Sequence, residues 1–211
     1  MTLRPARVGV LLSGRGSNFL ALHAAMARGE VPAEVALVAS NVPGAAGLAH
    51  ARELGLATAV VAAGPGGRDA QEAELLAALA AHGVEWVCLA GYMRLLSARF
   101  VRAHRERILN IHPSLLPAFP GLHAQRQALE HGVKLAGCTV HLVDEGLDSG
   151  AIVVQRAVPV LEDDDEASLT ARILEQEHLA YPDALRRLLT EPWRVEGRRV
   201  RFGAPPPAPH R

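Results

Sequence analysis

Apolar runs of strand length alternate with longer amphipathic stretches through the first half of the chain, the pattern of βαβ units built into a parallel sheet. Arg7 to Leu12, Glu34 to Ser40, Thr58 to Ala62, Glu85 to Ala90 and Ile108 to Ile111 read as strands. The stretches between them, Asn18 to Arg28, Gly44 to Leu54, Asp69 to His82 and Ser97 to His104, have the length of crossover helices. Most of the strand runs lack polar alternation, which predicts helices on both faces of the sheet.

The pattern changes after His112. Pro113, Pro117, Pro120 and Gly121 leave little room for regular structure, so 113–121 is expected as a loop outside the end of the fifth strand. A short helix through Gln125 to Glu130 comes next. Cys138 to Val143 and Ile152 to Val158 then read as strands around Asp144-Glu145-Gly146-Leu147-Asp148-Ser149-Gly150, whose turn residues suit a tight connection or an antiparallel addition. A helix over Ser168 to Leu189 follows, with Asp163 to Asp165 and Glu166 as a solvated acidic cap where the helix dipole favours negative charge. The expected fold class is α/β, an open, mostly parallel twisted sheet with helices on both faces, Rossmann-like, with an antiparallel C-terminal addition. A single domain is expected over 1–190 and a partly disordered C-terminal extension over 191–211, ending in the proline-rich tail Gly203 to Arg211.

Composition narrows the function classes. With 49% hydrophobic and 21% charged residues over 211 positions, the chain can bury a core and is too apolar for general disorder. Lys+Arg and Asp+Glu are both 22, a balance that argues against a protein tracking a nucleic-acid backbone. Cys88 and Cys138 have neither zinc-site spacing nor a disulfide framework and read as buried thiols in a reducing compartment. The apolar run Val8 to Leu12 is too short for a signal segment, and no run approaches the roughly 20 apolar residues of a membrane span. The expectation is a cytoplasmic protein with small-molecule substrates, no nucleic-acid or membrane partner, and a monomeric or homodimeric state.

Two clusters can carry chemistry. The first strand runs into Ser13-Gly14-Arg15-Gly16-Ser17-Asn18, where glycines let backbone amides approach an anion at a helix N-terminus. Phe19 stands where a dinucleotide fingerprint needs its third glycine, and a nucleoside-triphosphate loop's lysine is absent, which favours a small phosphorylated molecule. A plain tight turn with Ser17 or Asn18 capping the helix is the alternative. In the second cluster, Asn110-Ile111-His112-Pro113, period-two geometry aims Asn110 and His112 to one side at the carboxyl end of a strand, where open α/β sheets place ligands. Asp148 sits in a loop that the fold can bring against them. Such a trio suits acyl transfer to an amine: the Asn110 amide donates to an oxyanion, His112 relays a proton, and Asp148 holds His112 charged or accepts a proton through water. A strand-end asparagine, a partly buried imidazole and a turn aspartate are the structural alternative. A metal reading from His112, His123 and His141 with Asp144 or Asp148 fits no known helical ligand spacing, and no metal is expected.

At these residues the chain resembles the phosphoribosylglycinamide formyltransferases, folate-dependent enzymes of purine synthesis. Val10 through Asn18, Leu89-Ala90-Gly91-Tyr92-Met93-Arg94-Leu95-Leu96, Asn110 through Pro117 and Pro120-Gly121-Leu122-His123 carry the likeness. Val140-His141-Leu142-Val143, Leu147-Asp148-Ser149-Gly150 and Gln176-Glu177-His178 complete it, so that it covers about residues 7 to 190. The resemblance implies transfer of a formyl group from 10-formyltetrahydrofolate, the cosubstrate, to the glycinamide amine of a ribose phosphate. It implies catalysis by Asn110, His112 and Asp148, with Gly16, Ser17 and Asn18 on the substrate phosphate and Glu177 on its ribose or glycinamide portion. The folate would lie between Met93, Arg94, Leu95 and Leu96 and the loop Asp144, Glu145, Gly146, Leu147 and Asp148, touching Asn110 and with Arg68 near its tail. Leu89, Leu95 and Leu96 would supply apolar surface for the pterin. Arg15 and Ser149 depart from the usual residues of the family, which leaves the role of Arg15 and the path of the Asp148 loop open. The same domain is similar to methionyl-tRNA formyltransferase and formyltetrahydrofolate deformylase. With about 20 residues beyond Leu189 and six ahead of the first strand, the expectation is neither the tRNA enzyme nor the deformylase. A hydrolase and a non-catalytic phosphometabolite-binding module stand as alternatives.

Overall fold

Five strands, β1 (Ala6–Leu12), β2 (Ala33–Ser40), β3 (Thr58–Val60), β4 (Trp86–Leu89) and β5 (Ile108–His112), pair in parallel in a computed structural model that describes residues 4–203. The crossovers α1 (Ser17–Ala27), α2 (Ala46–Glu53), α3 (Gly67–Ala81) and α4 (Ala98–Ala103) fall where the amphipathic stretches predict them. After α5 (Ala124–Glu130) the direction reverses, with β6 (Leu135–Leu142) antiparallel to both β5 and β7 (Ile152–Pro159). The chain closes with α6 (Glu166–Thr190), β8 (Trp193–Glu196) and β9 (Arg199–Phe202). Among the described residues the sheet has nine strands in the order β3-β2-β1-β4-β5-β6-β7-β9-β8.

Both faces are covered, as the unbroken apolar runs require. Val8, Val10 and Leu12 of β1 enter one core with Phe19 and Leu22 of α1 and Leu169 and Ile173 of α6. Leu11 enters the other, with Leu75 and Leu79 of α3 and Phe100 of α4. The period-two alternation of β1 therefore sorts its side chains between two apolar layers rather than between core and water. No helix among the described residues is long and apolar enough to cross a membrane.

Two features depart from the sequence pattern. The acidic run before α6 is not a uniformly solvated cap. Asp165 accepts from Ser168 N at 2.7 Å while Ser168 Oγ accepts from Asp165 N at 3.0 Å, a capping box that starts the helix two residues earlier than the apolar period does. Asp164 turns inward and pairs with Arg172 at 2.6 Å. The second is the hairpin over 193–202, to which the sequence pattern assigns no regular structure. Glu196 pairs with Arg199 across a two-residue Gly197-Arg198 connection in which only Gly197 takes positive φ, at 58°, the pattern of a type II′ turn. The signal was a Gly-X pair between alternating runs, masked because the exposed partners are arginines. Of the expected tail, 204–211 lies outside the described residues.

Tyr181 of α6, fully buried, brings its hydroxyl within 3.0 Å of Leu89 O and 3.1 Å of Leu109 O. The long helix is thereby clipped to the last residue of β4 and to the second residue of β5. Tyr181→Phe leaves these buried carbonyls without that donor and should destabilise the fold by about 1–3 kcal/mol, read as a lower urea midpoint at unchanged m-value.

Candidate active site

β1 lies between β2 and β4, so the loops after β1 and β4 leave the sheet to opposite sides and open a crevice at its carboxyl edge. Ser13 joins its two walls. Its N–H donates to Gly91 O at 3.0 Å, and its hydroxyl accepts from Met93 N at 2.9 Å and donates to Asn41 Oδ1 at 2.5 Å. Gly16 precedes α1 at φ 80°, and a Cβ there would lie 2.8 Å from the Gly47 Cα, so no larger residue fits. No side chain caps α1, which leaves its first-turn amides open to an anion. The plain-cap alternative for Ser17 and Asn18 is thus not what the structure contains. Arg15 is exposed. Asn18 is buried instead, donating its Nδ2 to Glu177 Oε2 at 2.6 Å, while its Oδ1 is buried without a partner. Burial pushes the Glu177 carboxyl above its ordinary pKa, against the opposing hydrogen bond from Asn18.

At the end of β5 the alternation holds. Leu109 and Ile111 pack into one core while Asn110 and His112 face the other side. The antiparallel β6 pairs His141 with Asn110, which puts the two side chains together on that side. His141 Nδ1 is 3.1 Å from Leu142 O, and a carbonyl only accepts, so the neutral tautomer of this ring carries its hydrogen on Nδ1 and leaves Nε2 bare. Asn110 Nδ2, 3.1 Å from that bare nitrogen, must therefore present its NH2, one hydrogen to His141 and the second free. His112 Nε2 donates to Phe119 O at 2.9 Å by the same reasoning, which turns Nδ1 toward Asp148 Oδ2 at 3.5 Å. Asp148 Oδ1 stands 3.7 Å from His141 Nε2. The structure thus brings Asn110, His112 and Asp148 together and adds His141, which the sequence reading weighed as a metal ligand and quoted in the family likeness but gave no role in the trio. Its signal was strand register, invisible to a single sequence. Among the described residues no cluster of three or more His, Cys, Asp or Glu side chains is arranged to hold a metal ion.

The Asp148 loop is specified by backbone as well as side chains. Asp148 has φ 48°, in the left-handed region, and its Oδ2 accepts from Gly121 N at 2.8 Å. A Cβ on Gly150 would lie 1.7 Å from Leu142 O, which excludes any other residue there. Ser149 donates its hydroxyl to Asp144 Oδ1 at 2.6 Å, so this departure from the family pattern ties the loop to itself. The charge balance differs from the expected imidazolium. Burial lowers the His112 pKa, and the Phe119 carbonyl and the Asp148 charge only partly oppose it. For Asp148 burial works against ionisation, yet His141 and His112, which favour the charged carboxylate when they carry a proton, together with the Gly121 N–H outweigh it and hold the carboxyl below its ordinary pKa. The resting pair is an anionic Asp148 beside a largely neutral His112.

The residues assigned to folate come from the loop after β4, from α3 and from the loop after β6, whose first residues leave the antiparallel β6 beside the start of β5. Met93 and Leu95 are 66% exposed and Leu147 is 55% exposed, an apolar surface that water covers poorly. Leu96 is half-buried against the core, and Leu89 belongs to the core outright, so Leu89 offers nothing to a pterin. Arg94 donates to Gln71 Oε1 at 3.3 Å, and Arg68 Nε to Glu72 Oε1 at 3.2 Å. The buried Glu72 also accepts from Ser97 N at 2.7 Å, fixing the 91–97 loop to α3. Asp144, Glu145 and Gly146 are exposed, with Glu145 paired to Arg102 at 3.0 Å.

A family model described as formyl transferase matches residues 6–185. The trifunctional purine biosynthetic protein adenosine-3 of Drosophila melanogaster is 53% identical over 193 residues, 90% of this chain. The chain spans 14% of the length of that relative. The phosphoribosylglycinamide formyltransferase of Escherichia coli (strain K12) is 43% identical over 190 residues, covering 90% of this chain and 87% of that protein. The crystal structure of glycinamide ribonucleotide transformylase 1 from Symbiobacterium toebii superposes with a TM-score of 0.90 at 50% identity, covering 94% of each chain.

The charge balance has a direct readout. In a ring-nitrogen NMR titration His112 should ionise below the ordinary imidazole value of about 6.5. Asp148→Asn removes a charge that raises the His112 pKa and should move that titration further down. A wild-type His112 ionising above the ordinary value contradicts the burial argument.

Proposed function

Because the chain belongs to the formyl transferase family, we propose that it moves the formyl group of 10-formyltetrahydrofolate onto the amine of 5′-phosphoribosylglycinamide. The products are formylglycinamide ribonucleotide and tetrahydrofolate, a step of purine synthesis. The observation that carries this reading is the meeting of an amide, two imidazoles and a carboxylate from β5, β6 and the loop before β7, beside an uncapped helix N-terminus. The amides of Gly16, Ser17 and Asn18 suit a phosphate, and the half-paired Asn18–Glu177 couple suits the hydroxyl or amide groups of the ribose and glycinamide. The apolar surface of Met93, Leu95 and Leu147 suits the pterin, with Arg68 and Arg94 as cations for the acidic tail of the folate.

In this site the neutral glycinamide amine attacks the formyl carbon, and the C–N bond forms as the carbonyl pair moves to oxygen. The free hydrogen of Asn110 Nδ2 is the donor for that oxyanion. The proton released by the amine passes to the His112–Asp148 pair, where the bare Nδ1 and the carboxylate are both acceptors. It returns to the folate nitrogen as the C–N bond to the donor breaks. No nucleophilic side chain and no metal is needed. Acid–base help of this kind is worth about 10²–10⁴-fold, whereas holding the two reactants in line contributes about 7–11 kcal/mol. Positioning by the crevice therefore outweighs proton transfer. Within this reading the protein acts in the cytoplasm, where buried thiols such as Cys88 and Cys138, both pushed up to about 12 by burial, stay reduced.

Incubation of the purified protein with both substrates, beside a control without the glycinamide acceptor, tests the proposal. Formylated nucleotide with an equal amount of tetrahydrofolate supports it; formate released without acceptor indicates a hydrolase, and binding without turnover a non-catalytic module. His112→Ala should lower kcat at least about a hundredfold while binding of both substrates persists, and unchanged turnover would remove His112 from the mechanism.

A further inference from the structure

We infer that Arg198, in the turn of the C-terminal hairpin, is a positioning residue that holds the backbone of Asp148 in place for catalysis. The inference rests on the formyl-transfer reading, which makes Asp148 a group whose position matters. Asp148 has φ 48°, a conformation that an L-residue adopts only at a cost of about 1–2 kcal/mol unless its surroundings specify it. Its side chain is tied on one side by Gly121 N. On the other side its carbonyl oxygen accepts from Arg198 Nη2 at 2.9 Å.

The anchor is itself held. Ile152 N, in the first residue of β7, donates to Arg198 O at 2.9 Å, and Ile152 pairs with Arg199. Arg198 and the Asp148 loop thus meet at the start of one strand, and the guanidinium spans the short gap back from the hairpin to the loop. Glu196 of the hairpin and Glu145, which shares a cleft with Arg198, are engaged elsewhere. Glu196 accepts from Arg194 and Arg201, each at 2.6 Å, and Glu145 accepts from Arg102. Among the described residues, Asp148 O is the side-chain hydrogen-bond partner of Arg198. Behind the loop lies a cleft of about 410 Å³ bordered by Val143, Asp144, Glu145, Ser149 and Arg198. Arg198 borders that cleft, and its charge-assisted hydrogen bond to Asp148 O ties the hairpin to the loop beside it.

The test compares the whole protein with Arg198→Ala and Arg198→Lys in the formyl-transfer assay, together with the NMR ring signals of His112 and His141. Arg198→Ala should lower kcat about tenfold, inside the roughly hundredfold that a 1 Å misplacement costs, and leave KM for both substrates within about twofold. The His112 and His141 signals should shift, since both rings face Asp148. Arg198→Lys keeps a charged donor and should restore kcat to within about threefold of the parent. If Arg198→Ala does not fold, Arg198→Met, which keeps the apolar stem, carries the same comparison. A parent protein without turnover overturns the formyl-transfer reading. A parent that turns over while the Ala or Met variant keeps full kcat and unshifted ring signals, or changes KM alone, overturns the positioning role only.

Discussion

A sheet buried on both faces has one place left for polar chemistry, and that constraint organises this molecule. Val8, Val10 and Leu12 fill one layer and Leu11 the other, so neither face of β1 meets water. At the carboxyl edge the last residues of the parallel strands and the loops after them project past the helices. Ser13, Gly91 and the Asn110–His112 pair all sit there. The reversal of strand order beside β1 turns that edge from a flat rim into a crevice.

Within the crevice, burial decides which groups are charged. His112 is nearly enclosed, which disfavours an imidazolium, while the Asp148 carboxylate accepts from the Gly121 N–H and faces a nitrogen of each ring at 3.5 and 3.7 Å. A negative charge on Asp148 beside a largely neutral His112 is the resting state this favours, and it leaves the pair able to accept one proton. The same physics acts at Glu177, where a single hydrogen bond from Asn18 does not repay the burial of a carboxylate. A substrate hydroxyl or amide there meets groups whose hydrogen bonding is incomplete, which favours a polar ligand over an apolar one.

α6 joins the two halves of the site. Glu177 and Tyr181 are four residues apart and so lie on one face of the helix, one reaching Asn18 in the first turn of α1 and the other the carbonyls of Leu89 and Leu109. Leu109 precedes Asn110, so the clip at Tyr181 steadies the strand that carries the amide. The far edge of the sheet contributes as well, because the hairpin β8–β9 pairs onto β7 beside the Asp148 loop.

The periodic elements were legible in the chain because their signal is local: an unbroken apolar strand or an amphipathic helix carries its burial in its own residues. The side shared by Asn110 and His112, the glycine turn after β1 and the family likeness needed no tertiary information either. What the tertiary structure alone decided depends on register and burial across long separations. It paired His141 with Asn110 across β5 and β6, turned Asp164 inward to Arg172, placed Leu89 in the core and left His112 neutral. It also folded 193–202 against β7, where arginine-rich strands gave no apolar stripe to read. A single sequence records which side chains a segment offers, whereas which of them meet, and how much water remains between them, is set by strand pairing and by the desolvation that follows from it.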